Sequence, residues 1–317
     1  MAALYLTEAD VEKLVDMPLA IEVCEEAFRR LAAGEADNVP RTRAVAPGIV
    51  LHSMSAAAAY LGLVGVKTYT TTRDGARFRL DLYDASGAQV AMVEADRLGQ
   101  LRTGATTGVA VQAMADPEAT EVGLFGSGWQ AQSQLAAVAA ARPIKVAYVY
   151  SRNEQRRHDF AELMSGRLQI DVRPVDRPQD AAEELPIVVT ATHSREPVFD
   201  GNWLAEGSLV CAIGSNWLNR AEIDSTVVRR ADNIVCDSVA ACRNEAGDFV
   251  ESLEKGIFDW RRAVDLADVV TGRATGRNTR DSMALFKSVG LALEDVALGG
   301  KVLELARAQR IGRELTL

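Results

Sequence analysis

Apolar residues recur along this chain with two periods, and the places where the period changes divide it. A first helix starts at Thr7, a capping residue with Asp10 at the capping-box distance. A second runs over 18–33, with Ile21, Val23, Cys24, Ala27, Phe28 and Leu31 as its apolar positions and Gly34 at its end. From Val39 the pattern shortens to strands at 41–45, 49–54, 60–72, 78–83 and 89–94. Asp84-Ala-Ser-Gly87 reads as the hairpin turn between the last two. The first third is therefore expected to be two helices and an antiparallel sheet. A glycine- and threonine-rich stretch, 98–108, leads into a helix at 109–114 that ends near Asp116-Pro117. Beyond it, strands at 122–125, 145–150, 171–175, 187–192, 209–213, 233–237 and 283–287 alternate with polar turns and helical stretches. Such alternation predicts an α/β fold: a Rossmann domain with a smaller α+β domain.

The first strand of this second region runs into Gly126-Ser127-Gly128-Trp129-Gln130-Ala131 and then a helix. Strand, glycine turn, helix and strand within about thirty residues is the context that gives a GxGxxG/A string meaning as a dinucleotide site. Gly126 permits the tight turn, Gly128 admits a pyrophosphate, and Ala131 lets the helix lie close on the sheet, with its N–H groups toward the phosphates. The next strand ends Tyr150-Ser151-Arg152-Asn153, followed by Arg156 and Arg157. No carboxylate stands there to bind ribose hydroxyls or repel a 2′-phosphate, which favours NADP(H) and leaves NAD(H) possible. The same gap argues against S-adenosylmethionine. These arginines also fit a solvated helix start. Thr190 and Thr192 end the strand where the adenosine side of a cofactor would lie.

Composition narrows the classes. A chain of 317 residues, 48% hydrophobic and 25% charged, suits a globular protein of two domains. A net charge of -9 gives no support for nucleic acid or an anionic membrane as partner. The N-terminus lacks the basic and apolar regions of a signal peptide. No apolar run reaches the roughly 18 residues of a membrane span. The four cysteines form no CxxC pair, and the three histidines make a histidine-rich metal site unexpected. A reduced, cytoplasmic, metal-free protein is expected.

Leu101-Arg-Thr-Gly-Ala-Thr-Thr107, the glycine turn 126–131, and Leu285-Phe-Lys-Ser-Val-Gly-Leu-Ala-Leu-Glu-Asp295, in this order, resemble the ornithine cyclodeaminase/mu-crystallin family. The resemblance implies a substrate-binding and dimerisation domain, 1–116, completed by 290–317, and an NAD(P)-binding Rossmann domain, 117–289. Members include cyclising deaminases, alanine dehydrogenases and reductases of α-imino acids. Arg41, Lys67 and Arg102 match the family's substrate-contacting cations, as an α-carboxylate beside a C–N bond requires. Lys67 would be costly to bury without an anion. By the same resemblance, Ser288 and Gly290 lie near the nicotinamide, and Asp295 is on a helix returning to the first domain. Asp295 could equally be a helix-surface charge. Arg43, Arg73 and Arg77 read as solvated or rim charges.

Two departures bear on the reaction. Where the family's cyclodeaminases carry an aspartate that handles the substrate amino group, this chain has Asn216. An amide cannot take up a proton, which counts against ammonia release by ring closure. Phe78 stands where a diamine-using member would have a small polar residue, and is either pocket filling or strand core. Trp129 and Trp217 read first as packing. The sequence thus points to a homodimeric NAD(P)-dependent oxidoreductase acting on the C–N bond of a small α-imino or α-amino acid, in the direction of imine reduction. The alternatives are a cyclodeaminase and a non-catalytic NADP-dependent ligand-binding protein.

Overall fold

The structure is a computed structural model that describes residues 3–315. Residues 1–2 and 316–317, the outer ends of the first domain and the start of the N-terminal stretch that lacks signal-peptide character, lie outside the described residues. In chain order come β1 (Ala3–Leu6), α1 (Glu8–Leu14), α2 (Met17–Ala32), β2 (Ala36–Ala46), β3 (Ile49–Ala58), β4 (Leu63–Thr72), β5 (Gly75–Asp84), β6 (Gln89–Glu94) and α3 (Asp96–Met114). Then follow β7 (Glu121–Phe125), α4 (Trp129–Ala141), β8 (Val146–Tyr150), α5 (Glu154–Leu168), β9 (Asp171–Pro174), β10 (Ile187–Thr190) and β11 (Leu209–Ala212). The remainder is α6 (Ser225–Arg230), β12 (Asn233–Cys236), α7 (Val239–Glu245), α8 (Val250–Glu254), β13 (Ala263–Asp265), α9 (Leu266–Val270), β14 (Ala284–Lys287), α10 (Ala292–Gln309) and β15 (Arg313–Leu315).

These elements form two compact units, Met1–Ala105 with Leu291–Leu317, and Thr106–Gly290. The first unit holds a seven-stranded sheet of order β15-β1-β6-β5-β4-β3-β2. The long neighbours β2 to β6 pair antiparallel. The sheet is mixed rather than wholly antiparallel, because β1 lies parallel to β6. Four residues are too few to carry a periodic signal, so this strand escapes a reading of the sequence. Helix α10 covers the inner face of β3 and β4. A Cβ on Gly65 would come within 2.7 Å of Val296, so the close approach of strand and helix depends on that glycine.

The second unit is a doubly wound α/β layer whose eight strands, β13-β12-β14-β11-β10-β7-β8-β9, are all parallel. Its central strands are buried on both faces, which is why they read as continuous apolar runs. Helix α3 begins at Asp96, not at Val109. Gly99, Gly104, Gly108 and the neighbouring threonines lower its intrinsic propensity, and burial of nearly its whole surface overrides that cost. Among the described residues no helix is long and apolar enough to cross a membrane, and no cluster of histidine, cysteine and carboxylate side chains could hold a metal ion.

Phe286, on β14 between β11 and β12, is fully buried. Phe286→Ala is expected to destabilise the parallel sheet by about 3–5 kcal/mol. A lower urea midpoint for unfolding checks this; an unchanged midpoint would place Phe286 outside the load of the core.

Candidate active site

In the first unit, four charged side chains meet beneath the start of α10. Lys67 on β4 and Asp295 on α10 are both buried, and Lys67 Nζ donates to Asp295 Oδ1 at 2.7 Å. Arg102 on α3 donates from Nε to the same oxygen at 3.1 Å and from a terminal nitrogen to Glu294 Oε2 at 2.7 Å. Asp295 is therefore the counter-ion of two cations and no helix-surface charge. Glu294 is a further member that the sequence reading passed over. Both acids occupy the first turn of α10, where the helix dipole favours negative charge. Gly99 makes room for the lysine: a Cβ there would stand 2.8 Å from Nζ.

Burial drives the Lys67 pKa down to about 8, with Arg102 and Arg41 pushing the same way and Asp295 opposing. Burial alone would also lower that of Arg102, but Asp295 and Glu294 raise it above its ordinary value. Arg102 is a permanent cation, then, whereas Lys67 can change its charge near neutral pH.

On the same face of the sheet lies a histidine that the sequence reading considered only as a metal ligand. Pairing of β3 with β4 sets His52 opposite Tyr69 and Met54 opposite Lys67. The His52 ring stacks on Tyr69 at 4.1 Å, Tyr69 on Phe78 at 4.9 Å, and the Phe78 ring lies 5.5 Å from Lys67 Nζ. Phe78 thus lies beside the Lys67 ammonium, at the end of this aromatic row. Burial, then Arg43 and Arg41, lowers the His52 pKa to about 4, so the ring is neutral at physiological pH. Its Nε2 lies 3.1 Å from Thr71 Oγ1. The signal that could have found it is the alternation along β3, whose buried positions are His52, Met54, Ala56 and Ala58.

Arg41 reaches this face through a bulge. The register of β2 slips one residue between Val39 and Thr42, beside Pro40, which has no N–H to give to a ladder. After the slip both Val39 and Thr42 point outward, while Asn38, Arg41 and Arg43 share the inner face. Asn38 Oδ1 accepts from Leu293 N at the start of α10. Arg43 is opposite His52 and half-buried, not at the rim, whereas Arg73 and Arg77 are exposed.

The glycine turn belongs to the second unit. Gly126 has φ +121 and no room for a Cβ, which would meet the Ala191 carbonyl at 2.5 Å. The space over Gly128 is open, and this residue, the N-cap of α4, supplies no capping side chain. By contrast, α5, α6 and α7 are capped by Asn153, Asp224 and Ser238. An uncapped helix start beneath an open glycine fits a phosphate group. Ala131 is buried, Gln130 half-buried and Trp129 exposed. Ser127 donates to Ser151 Oγ at 2.9 Å, and Ser151 donates onward to the Asn153 carbonyl at 3.1 Å, so the turn is tied to the tip of β8. Arg152 and Arg156 are exposed at that tip; Arg157 instead turns inward to the Ser151 carbonyl and Asp176.

Thr190 is fully buried, and both it and Thr192 donate to Glu222, at 3.0 and 2.7 Å. Ser288 Oγ and the amides of Val289 and Gly290 all donate to Asp237 Oδ2, at 2.8, 2.8 and 2.6 Å. These residues shape the carboxyl edge of the sheet, with buried carboxylates behind them that the sequence reading did not single out. Asn216 is half-buried in the loop after β11. Cys24, Cys211, Cys236 and Cys242 are buried thiols.

A sequence profile of the ornithine cyclodeaminase/mu-crystallin family matches residues 1–310. The chain belongs to this family. A Delta(1)-pyrroline-2-carboxylate reductase from Thermococcus litoralis, solved with NADH and L-proline, is 32% identical; the match covers 98% of this chain and all of that one, with a TM-score of 0.94. An archaeal alanine dehydrogenase dimer with bound NAD is 27% identical with the same TM-score, over the full length of both chains. The alanine dehydrogenase of Archaeoglobus fulgidus is 28% identical over 99% of this chain and 98% of its own.

Asp295→Asn removes the charge that supports the lysine ammonium, so the Lys67 pKa is expected to fall below about 8. Side-chain nitrogen NMR on isotope-labelled lysine, titrated with pH, reads it directly. Gly99→Ala gains up to about 1 kcal/mol of helix propensity, yet it should shift the same resonance, since the methyl and the ammonium compete for one space. An unmoved resonance would contradict the packing described.

Proposed function

We propose that this chain is a nicotinamide-dependent oxidoreductase that reduces the C=N bond of a small α-imino acid, and in reverse oxidises the corresponding α-amino acid. The observation that carries the reading is Lys67: a buried ammonium with a pKa near 8, held by Asp295 and flanked by arginines. Support comes from relatives of matching length whose names describe reactions at a C–N bond next to a carboxylate.

When bound, the reduced nicotinamide supplies a hydride for the imine carbon. Arg41 and Arg102 attract the substrate carboxylate; Arg102 is held from behind by Glu294 and Asp295 and so loses little rotamer freedom on binding. Lys67 hydrogen-bonds the substrate nitrogen and gives it the proton that completes the amine. Asp295 keeps the ammonium oriented and raises its proton affinity against the burial that lowers it. Neutral His52, Tyr69 and Phe78 form an uncharged wall beside Lys67, which suits an apolar side chain on the substrate. Asn216 offers no proton acceptor for ammonia release, which disfavours a cyclodeaminase.

The cofactor is NADP(H) in this reading. Ser151, Arg152 and Arg156 stand at the tip of β8, where a 2′-phosphate would need donors and cations, and no acid lies among residues 151–153. The Gly126–Ala131 turn and the start of α4 hold the pyrophosphate, while Thr190, Thr192, Ser288 and Gly290 shape the edge beside it. We also assign a homodimer. Val39, Ile49, Leu51 and Val64 are exposed apolar side chains on the outward face of β2 to β4, a patch of the kind that marks an interface.

Consumption of NADPH and NADH with cyclic ketimines, or with pyruvate plus ammonia, tests the reaction. Turnover that Lys67→Ala abolishes is expected; turnover that survives would remove Lys67 from the proton transfer, and none with any imino acid would overturn the reading. Because protonated Lys67 is present below its pKa and lost above it, imine reduction should decline as pH rises through about 8. Amine oxidation needs the neutral form and should rise over the same range. Arg152→Ala should raise KM for NADPH roughly tenfold, as loss of a charged hydrogen bond does, and leave KM for NADH unchanged. Light scattering should give a dimer that Leu51→Arg dissociates.

A further inference from the structure

Three buried charges stand behind the carboxyl edge of the parallel sheet, and the chemistry above uses none of them. Lys287, at the end of β14, lies 2.7 Å from Asp248 Oδ2 and donates to the Ser215 carbonyl at 2.7 Å. Asp248 Oδ1 accepts from Glu222 N at 2.6 Å. Glu222, also buried, receives four hydrogen bonds. Thr192 N and Oγ1 reach Oε1 at 2.6 and 2.7 Å, and Gly214 N and Thr190 Oγ1 reach Oε2 at 2.6 and 3.0 Å. One carboxylate therefore joins the carboxyl ends of β10 and β11, neighbours in the sheet. The closure leaves no slack, since a Cβ on Gly214 would overlap the Thr192 backbone and come within 2.5 Å of Glu222 Oε1.

A carboxylate placed only to balance Lys287 could sit anywhere within reach of it. Here every donor to the Glu222 carboxylate comes from the two segments at the edge where parallel sheets of this kind bind their ligands. Each oxygen accepts one backbone N–H and one threonine hydroxyl, a set of four donors that the carboxylate form satisfies in full. Burial and Asp248 push the carboxyl's proton affinity up, while Lys287 and Thr192 oppose them.

We propose that Glu222, anchored by Asp248 and Lys287, is the positioning residue that sets Thr190–Thr192 and Gly214–Asn216 for dinucleotide binding. The proposal rests on the dinucleotide reading given above. In Glu222→Gln an amide group replaces one oxygen and meets a backbone N–H, donor against donor. In Glu222→Asp the charge and the link to Lys287 remain, but the side chain is one methylene too short to span both amides.

The test combines amide hydrogen exchange on the unliganded protein with NADPH binding by fluorescence titration. In both variants the amides of Thr192 and Gly214 should exchange faster. NADPH affinity should fall roughly tenfold or more, the cost of an orphaned buried donor. KM for the imino acid should move much less than KM for the dinucleotide, a split that plain loss of stability would not produce. A folded Glu222→Asp that binds NADPH like the wild type would overturn the proposal, because charge balance alone would then suffice. Should Glu222→Gln fail to fold, Glu222→Asp carries the test. If the wild-type chain binds neither NADPH nor NADH, the dinucleotide reading falls and takes this role with it. Exchange data on the unliganded protein separate that result from failure of the clamp itself.

Discussion

The buried contact between Lys67 and Asp295 constrains the first unit more than any other. Taking an ammonium out of water costs several kcal/mol, recovered only where a carboxylate meets it in good geometry. The partner here is 228 positions away in the chain. The C-terminal segment must therefore return to the first sheet, and α10 must lie close enough for its first turn to reach β4. Gly65 makes that approach possible on the strand side, and Gly99 leaves space around the ammonium on the α3 side. The bulge at Val39–Thr42 belongs to the same arrangement. One slip of register thus brings both Asn38, which anchors the start of α10, and Arg41 to the face that carries Lys67.

The second unit solves a related problem at the edge of its sheet. Strand ends and the loops after them leave backbone N–H groups without ladder partners, and burying those groups unpaired is costly. Glu222 and Asp237 each accept several of them. These amides consequently have partners within the protein itself, while the space over Gly128 is open and no side chain caps α4. Preorganisation of this kind leaves the polar groups of an arriving phosphate few competitors.

Much of this was legible in the sequence, for identifiable reasons. The glycine turn was readable because its conformation is local: Gly126 needs φ > 0 and Ala131 needs smallness, and both needs are written in residue type. The alternating strands were readable because burial on both faces leaves continuous apolar runs. Glu222, Asp248, Lys287 and Glu294 were not readable, because a charged residue in a polar loop or helix looks solvated until the fold brings its partner from elsewhere. The helical start of α3 was hidden by glycines whose low propensity tertiary burial overrides. His52 was hidden by its type, as a lone histidine in a strand carries no spacing signal beyond the alternation of its neighbours.

The position of Lys67 changes what a buried cation implies. From the sequence, an unpaired lysine among apolar residues calls for an anion, and a substrate carboxylate is the obvious candidate. The structure supplies that anion from α10 and leaves the lysine paired before any ligand arrives. A paired lysine is a poor reporter of a carboxylate site but a good proton donor: burial has already lowered its pKa to about 8, while the acid beside it keeps the charged form accessible. Arg102 cannot share that role, since Asp295 and Glu294 hold its proton more firmly still. In the proposed reaction this difference between the two cations divides the labour, the arginines binding charge and the lysine moving it.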